Sequence, residues 1–182
     1  QMNSEKNNSG ERMLNEYFEM SKYDIIKHVW EFDADRISSY EILKYVFSVY
    51  SKYPLKNEKK FICMLYVSVA SVLVTLNLFY FGIVNQIGSP YRIDKIPFYT
   101  EMYSHPHPLV RCINIMEFMF ECIMSDFPTL EITTQKMLIN TTGIMKLYFD
   151  TILPESNIMN TFYDEISLYI NEINEYNKRL YN

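Results

Sequence analysis

Residues 61–84, FICMLYVSVASVLVTLNLFYFGIV, contain no charged side chain. No other stretch constrains the fold as strongly. A run of this length is enough to cross a bilayer as a helix, for which about 20 apolar residues suffice. In a water-soluble fold it has to be a helix wrapped by other helices, because a helix apolar on all sides is stable only where all its sides are covered. The lysines just before it, Lys56, Lys59 and Lys60, would mark the cytoplasmic side of a span. Ser68, Ser71, Thr75 and Asn77 interrupt the run near its middle, which a protein core tolerates. A buried central helix is therefore the expected state. VSVASVLV is the only stretch with β character.

The rest of the chain suits such a core helix. Only 4 Gly and 7 Pro occur in 182 residues, so breakers are too few for many short strands and turns. Apolar residues make up 48% and charged residues 21%, a globular balance with enough length for a sizeable core. Sixteen Tyr and twelve Phe supply a thick aromatic interior. The net charge of −5, with no basic block, argues against a nucleic-acid partner, which needs clustered Lys and Arg. Cys63, Cys112 and Cys122 are odd in number and lie in apolar settings. They are expected to be buried free thiols of a reducing compartment, which places the chain in the cytoplasm, with attachment to a membrane surface as an alternative.

Residues 1–11, polar and charged, are expected to be a flexible lead-in, and residues 12–182 a single helical domain. Leu14, Tyr17, Phe18 and Ile25 suggest a helix over 12–27. Residues 28–52 continue as helix, with Ile42, Tyr45, Val46 and Val49 in its apolar stripe. SKYPLKNEKK (51–60) is a loop. Residues 85–108 hold four of the seven prolines and form the long irregular connection, of the kind that often carries function. Helices follow over 109–125, 128–153 (Leu130, Met137, Ile144 and Leu147 inward) and 155–178. The last has Ile158, Phe162, Ile166, Ile170 and Ile173 at near-ideal spacing. The expected class is all-α: an irregular bundle of five to six helices around a long apolar central one.

The polar feature that stands out is EFDAD, residues 31–35, beside the only tryptophan, Trp30. Glu31 and Asp35 are four apart and share one helix face, with the small Ala34 between them. Zinc accepts carboxylate oxygen, and a second carboxylate can orient a ligating histidine through its other N–H. A solvated acidic turn is the plain alternative. A second element lies downstream in SHPHPLVRC: His105-Pro106, then Arg111. An imidazole and a guanidinium at a proline-stiffened corner can stabilise negative charge growing on a carbonyl oxygen. His107, one turn before Arg111, is an alternative to His105, and a helix-capping turn is the alternative to any catalytic role.

Together these elements resemble the Glu-x-x-Ala-Asp and His-Pro…Arg motifs of gluzincin-type zinc metallopeptidases, among them the CaaX prenyl proteases, the HtpX-like heat-shock proteases and the Lit-like phage-exclusion peptidases. The resemblance implies Glu31 as the third zinc ligand, Asp35 as the residue orienting a histidine ligand, His105 and Arg111 as groups facing the substrate carbonyl, and a peptide or protein as substrate. It covers two short elements within 28–111. The His-Glu-x-x-His element that supplies two zinc ligands and the general base is not in this sequence, whose histidines are His28, His105 and His107. The resemblance therefore implies either an upstream segment carrying the zinc-binding helix or a lineage that has lost its metal. On its own the chain is expected to bind no zinc tightly and to be catalytically incompetent. Two readings compete with it. One is a non-catalytic interaction module that docks through the 155–178 helix. The other is a single-span membrane protein, which would put Glu31 and His105 on opposite sides of the bilayer.

Overall fold

The computed structural model describes residues 25–81, 97–100, 103, 105–154 and 157–181. The expected lead-in, all but the last three residues of the 12–27 helix and most of the long connection lie outside the described residues. Five helices make up the rest: α1 (Ile25–Ser51), α2 (Glu58–Tyr80), α3 (Pro108–Asp126), α4 (Thr134–Ile152) and α5 (Ile158–Tyr181). No strand occurs among the described residues, and the fold is an all-α irregular bundle with one long apolar helix.

That helix is α2, the run on which the fold turns. It packs against α1, α3 and α4, while α5 closes the bundle against α1, α3 and α4. Leu65, Val69, Ala70, Leu73 and Tyr80 of α2 are fully buried. Its mean hydropathy of 2.1 and its length would let it cross a membrane, yet 56% of its apolar window is buried inside the protein. The polar residues along it are accommodated locally. Ser68, Ser71 and Thr75 donate their hydroxyls to the carbonyls of Leu65, Val67 and Ser71, and the amide of Asn77 donates to Leu73 O. These hydrogens go to the helix's own backbone one turn back, and only the Asn77 amide also reaches a neighbour, Cys112 Sγ of α3 at 3.5 Å. The β character of VSVASVLV is overridden by this packing.

Helix boundaries follow local chemistry. Asn57 caps α2 by accepting from Lys60 N at 3.0 Å, and Thr133 caps α4 by accepting from Lys136 N at 3.1 Å. The Thr133 cap explains why α4 begins six residues later than the sequence suggests, after a turn through 128–130. Its inward face differs accordingly. Met137, Thr141, Met145 and Phe149 are buried, whereas Leu147 is 69% exposed. In α1 the buried face is His28, Phe32, Ser39, Leu43 and Val46, and Tyr45 and Ile42 face outward. The stripe of α5 is close to the expected one, with Ile158, Phe162 and Ile173 buried and Ile166 and Ile170 half-buried. That stripe is spent on the bundle's own core and is not left as a docking face.

The two ends of the bundle carry different chemistry. Chain direction runs down α1, back up α2 and down α3, so the start of α1, the end of α2 and the start of α3 lie together. The hairpin of α1 and α2 forms the other end, where Phe47, Tyr50, Phe61 and Phe127 pack ring on ring at 4.4–5.9 Å.

Candidate functional site

The site sits at the upper end, where α1 and α3 meet. Glu31 and Asp35 lie in the second and third turns of α1, one above the other, because side chains four apart on a helix are neighbours. Arg111 lies in the first turn of α3, and His105 lies just ahead of that helix.

The approach to Arg111 is built by prolines and by His107. Pro108 occupies the first turn of α3, where its missing N–H costs no hydrogen bond. His107 is the N-cap: its Nδ1 accepts from Leu109 N at 3.2 Å. Its ring is fully buried among Tyr80, Phe98 and Tyr99, with centroids 4.8–5.2 Å away. His107 is thus committed to capping and packing, while His105 is exposed and lies beside Glu31.

Four of the residues singled out from the sequence come together. His105 Nδ1 donates to Glu31 Oε1 at 3.0 Å. Arg111 donates to Asp35 through two parallel bonds, Nε to Oδ2 at 2.7 Å and Nη2 to Oδ1 at 2.6 Å. The same Nη2 lies 3.8 Å from Glu31 Oε2. The result is a ladder in which carboxylates alternate with nitrogen donors, Asp35–Arg111–Glu31–His105. The fork geometry is the strong form of a guanidinium–carboxylate pair, and it is shielded, with side-chain exposures of 23% for Arg111 and 12% for Asp35. Burial opposes the charge on Arg111, but the bonded Asp35 and the neighbouring Glu31 outweigh it and raise the pKa. Asp33, the third carboxylate of EFDAD, faces solvent and takes no part.

His28 also has a defined place. It is fully buried, with Nε2 donating to the backbone carbonyl of Tyr103 at 2.7 Å and Nδ1 paired with the hydroxyl of Tyr176. Those two bonds fix its tautomer and tie the start of α1 to α5 and to the chain just ahead of His105. It is a packed positioning residue, and packed is one of the two states, packed or surface, that a lone histidine on a helix allows. Only a long-range partner reveals it, and no local pattern announces one. Arg36 joins the same junction from α1, its Nε donating to Asn114 of α3 at 3.3 Å.

Beside the ladder lies an open cleft of about 380 Å³ lined by Lys27, Trp30, Glu31, Ala34 and His105. Ala34, the small residue of the motif, lines it beside Glu31. Trp30 forms the aromatic side of it. The fork uses Nε and Nη2 of Arg111, so Nη1 stays outside it. The arrangement holds an imidazole and a carboxylate, His105 and Glu31, in the lining of a cleft, with the Arg111 guanidinium just behind Glu31. Those nitrogen donors suit a carbonyl or carboxylate oxygen.

Metal chemistry is a separate matter. A catalytic zinc takes three protein ligands. Among the described residues no group of three His, Cys, Asp or Glu side chains is arranged to hold a metal ion. Glu31 and His105 supply one carboxylate and one imidazole, and Asp35 is committed to Arg111. These residues alone do not fit a zinc site. Among the cysteines, Cys112 is buried, Cys122 half-buried and Cys63 exposed, so the last departs from the sequence expectation. It lies on the first turns of α2, facing outward where the lysine-rich hairpin begins. The chain matches no family model, no curated protein and no solved structure.

Proposed function

We propose that the Asp35–Arg111–Glu31–His105 ladder is one wall of a peptide-hydrolysing metal site. In this reading Glu31 would supply the carboxylate ligand to a zinc whose other ligands lie outside these residues. His105 and the Nη1 side of Arg111 receive the carbonyl oxygen of the scissile peptide as it gains negative charge. Asp35 acts first on Arg111, holding the guanidinium in a fixed plane, which is a different task from orienting a histidine ligand. The remaining zinc ligands and the general base come from a segment bearing His-Glu-x-x-His, upstream in the polypeptide. Without it these residues bind and orient, and no hydrolytic step is assigned to them. One observation carries the reading. A carboxylate pair one helical turn apart meets a histidine and an arginine from seventy or more residues later, beside a cleft lined by an alanine.

A second reading rests on the same bonds. Each carboxylate in the ladder already has a cationic partner, which is what a purely structural lock between α1 and α3 requires. This is a non-catalytic helical module whose surface ligands lie elsewhere.

Metal binding separates the two. The natural reading frame is expressed together with any upstream coding sequence, dialysed against zinc and assayed for bound metal. The hydrolytic reading expects one tightly held zinc that Glu31→Gln releases, with peptide hydrolysis falling alongside it. If the upstream frame encodes no His-Glu-x-x-His, or if zinc retention is the same with and without Glu31, the cluster is a lock and the peptidase reading fails.

A further inference from the structure

We infer that the protein docks on an anionic membrane surface through the outer face of α2 and the lysine-rich hairpin that precedes it. This goes beyond the proposed hydrolytic site and stands independently of it.

The first observation is the outward stripe of α2. Lys59, Cys63, Val67, Ser71, Thr75 and Phe79 follow one another at intervals of four and all are exposed, a row that winds round α2 by about 40° per step. After Lys59 the stripe carries no charge for twenty residues, about 30 Å of helix. Val67 and Phe79 are each 51% exposed. The two hydroxyls on the stripe are turned inward, Ser71 donating to Val67 O at 2.8 Å and Thr75 to Ser71 O at 2.9 Å. A face that satisfies its polar groups internally loses little when water is replaced by hydrocarbon. The exposed faces of α1, α3 and α5 carry acidic residues: Asp33 and Glu41, Glu117 and Glu121, Glu172 and Glu175.

The second observation is charge. The protein as a whole is at −5, yet residues 52–60 hold Lys52, Lys56, Lys59 and Lys60 against the single acid Glu58. All nine residues are exposed. Leu55 stands 83% exposed at the tip of this hairpin, beside the exposed Tyr53. Between the hairpin and α2 lies an open groove of about 360 Å³, walled by Tyr50, Tyr53, Leu55 and Met64, with Lys59 and Lys60 among its lining. Apolar walls with ammonium groups beside them match an anionic lipid, with headgroup on the lysines and chain against the rings. Aromatic residues favour that same boundary between headgroups and hydrocarbon.

The bundle sets the geometry. The inner side of α2 is occupied by α1, α3 and α4, so lipid can reach only the outer stripe. A perpendicular insertion would drag Glu41 and Lys44 of the adjacent α1 into hydrocarbon, at a cost of a few kcal/mol each. The docked helix therefore lies along the surface, with lysines anchoring one end.

Vesicle co-sedimentation of the purified chain tests this. Binding is expected to phosphatidylcholine vesicles containing phosphatidylserine, to weaken as salt is raised, and to be slight on phosphatidylcholine alone. Lys52→Gln/Lys59→Gln/Lys60→Gln removes three charges and leaves Lys56, which holds the carbonyls of Tyr50 and Ser51. It should weaken binding on the order of a hundred-fold. Val67→Ser/Phe79→Ser should weaken it while every lysine is retained. Should either variant misfold by circular dichroism, the salt and lipid dependence of the unaltered chain still decides. Equal binding to neutral vesicles, no binding to any vesicle, retention through an alkaline carbonate wash, or lysine-dependent capture of nucleic acid in preference to lipid would each overturn the inference.

Discussion

At the scale of single residues, the ladder at the top of the bundle is held by one arginine. Asp35 is largely shielded and both of its oxygens are bonded to Arg111. Removing the guanidinium leaves a carboxylate with little water to turn to. Arg111→Ala is expected to destabilise the fold by about 3 kcal/mol, the lower end of what breaking a buried pair costs because the site is partly open. In a chain of this size that lowers the melting temperature by roughly 6–12 °C. Arg111→Lys keeps the charge and loses the planar fork, and should cost about half as much. Asp35→Asn combined with Arg111→Met should be milder than the arginine change alone, since no orphaned charge remains. Thermal melts of these proteins, together with the Asp35→Asn and Arg111→Met single variants, decide the matter, and additivity between the two sites would count against the pair as described. The spacing of Glu31 and Asp35 made this half of the site legible in the sequence, because a helix fixes which residues share a face. His105 was legible only as one of two histidines. What separates it from His107 is a capping bond to Leu109 and a ring cage of Tyr80, Phe98 and Tyr99 assembled from distant segments. The partners of His28 are not legible in the sequence, since both lie 75 or more residues away.

At the scale of elements, legibility depended on whether one face of a helix contrasts with the other. In α5 polar and apolar residues alternate sharply, and the buried positions follow from spacing. In α4 the apolar residues are spread around the helix, and the inward side is set by contact with α2 and by the Thr133 cap, neither of which is local information. Leu147 was therefore assigned inward although it is mostly exposed, while Thr141 and Thr142 are buried. The hydroxyls of these two threonines are met by Met137 Sδ and by the Leu138 carbonyl, so burying them strands no donor. Gly143, next in line, serves no such purpose. It lies mid-helix, exposed, and an added Cβ would meet nothing within 4 Å. Glycine there adds backbone freedom to the unfolded chain without easing any contact. Gly143→Ala should stabilise the protein by about 0.5–1 kcal/mol, visible as a higher urea midpoint at unchanged slope. A loss of stability would mean that another surface approaches α4 closely at this point.

At the scale of the whole molecule, Cys112 reports on how the bundle opens. It sits on α3 in the junction with α2, and its Sγ accepts from the amide of Asn77 at 3.5 Å. Burial pushes its thiol up from 9.0 to about 12, more than the adjacent Arg111 lowers it. Below pH 9 the folded and unfolded chains both keep this proton. Between 9 and about 12 only the unfolded chain releases it, so the folded state binds more protons and its stability falls as pH rises. One thiol shifted by three units accounts for up to about 4 kcal/mol by the top of that window. The same burial should gate chemistry. At pH 8 a thiol reagent should label exposed Cys63 promptly and half-buried Cys122 more slowly. Cys112 should react only as fast as the bundle opens, because α2 and α3 must part before it is reached. Its labelling free energy should then match the global unfolding free energy from urea denaturation, and both should decline together above pH 9. Cys112→Ala should remove the part of that decline that begins near pH 9, while the hydroxyls of Tyr80 and Tyr99, also pushed up by burial, keep a decline above pH 10. Labelling of Cys112 well ahead of global unfolding would show that α3 separates from α2 on its own. Arg111, which shares that helix, would then swing away from Asp35 without the rest of the bundle unfolding, and the ladder would be a hinged contact in place of a fixed one.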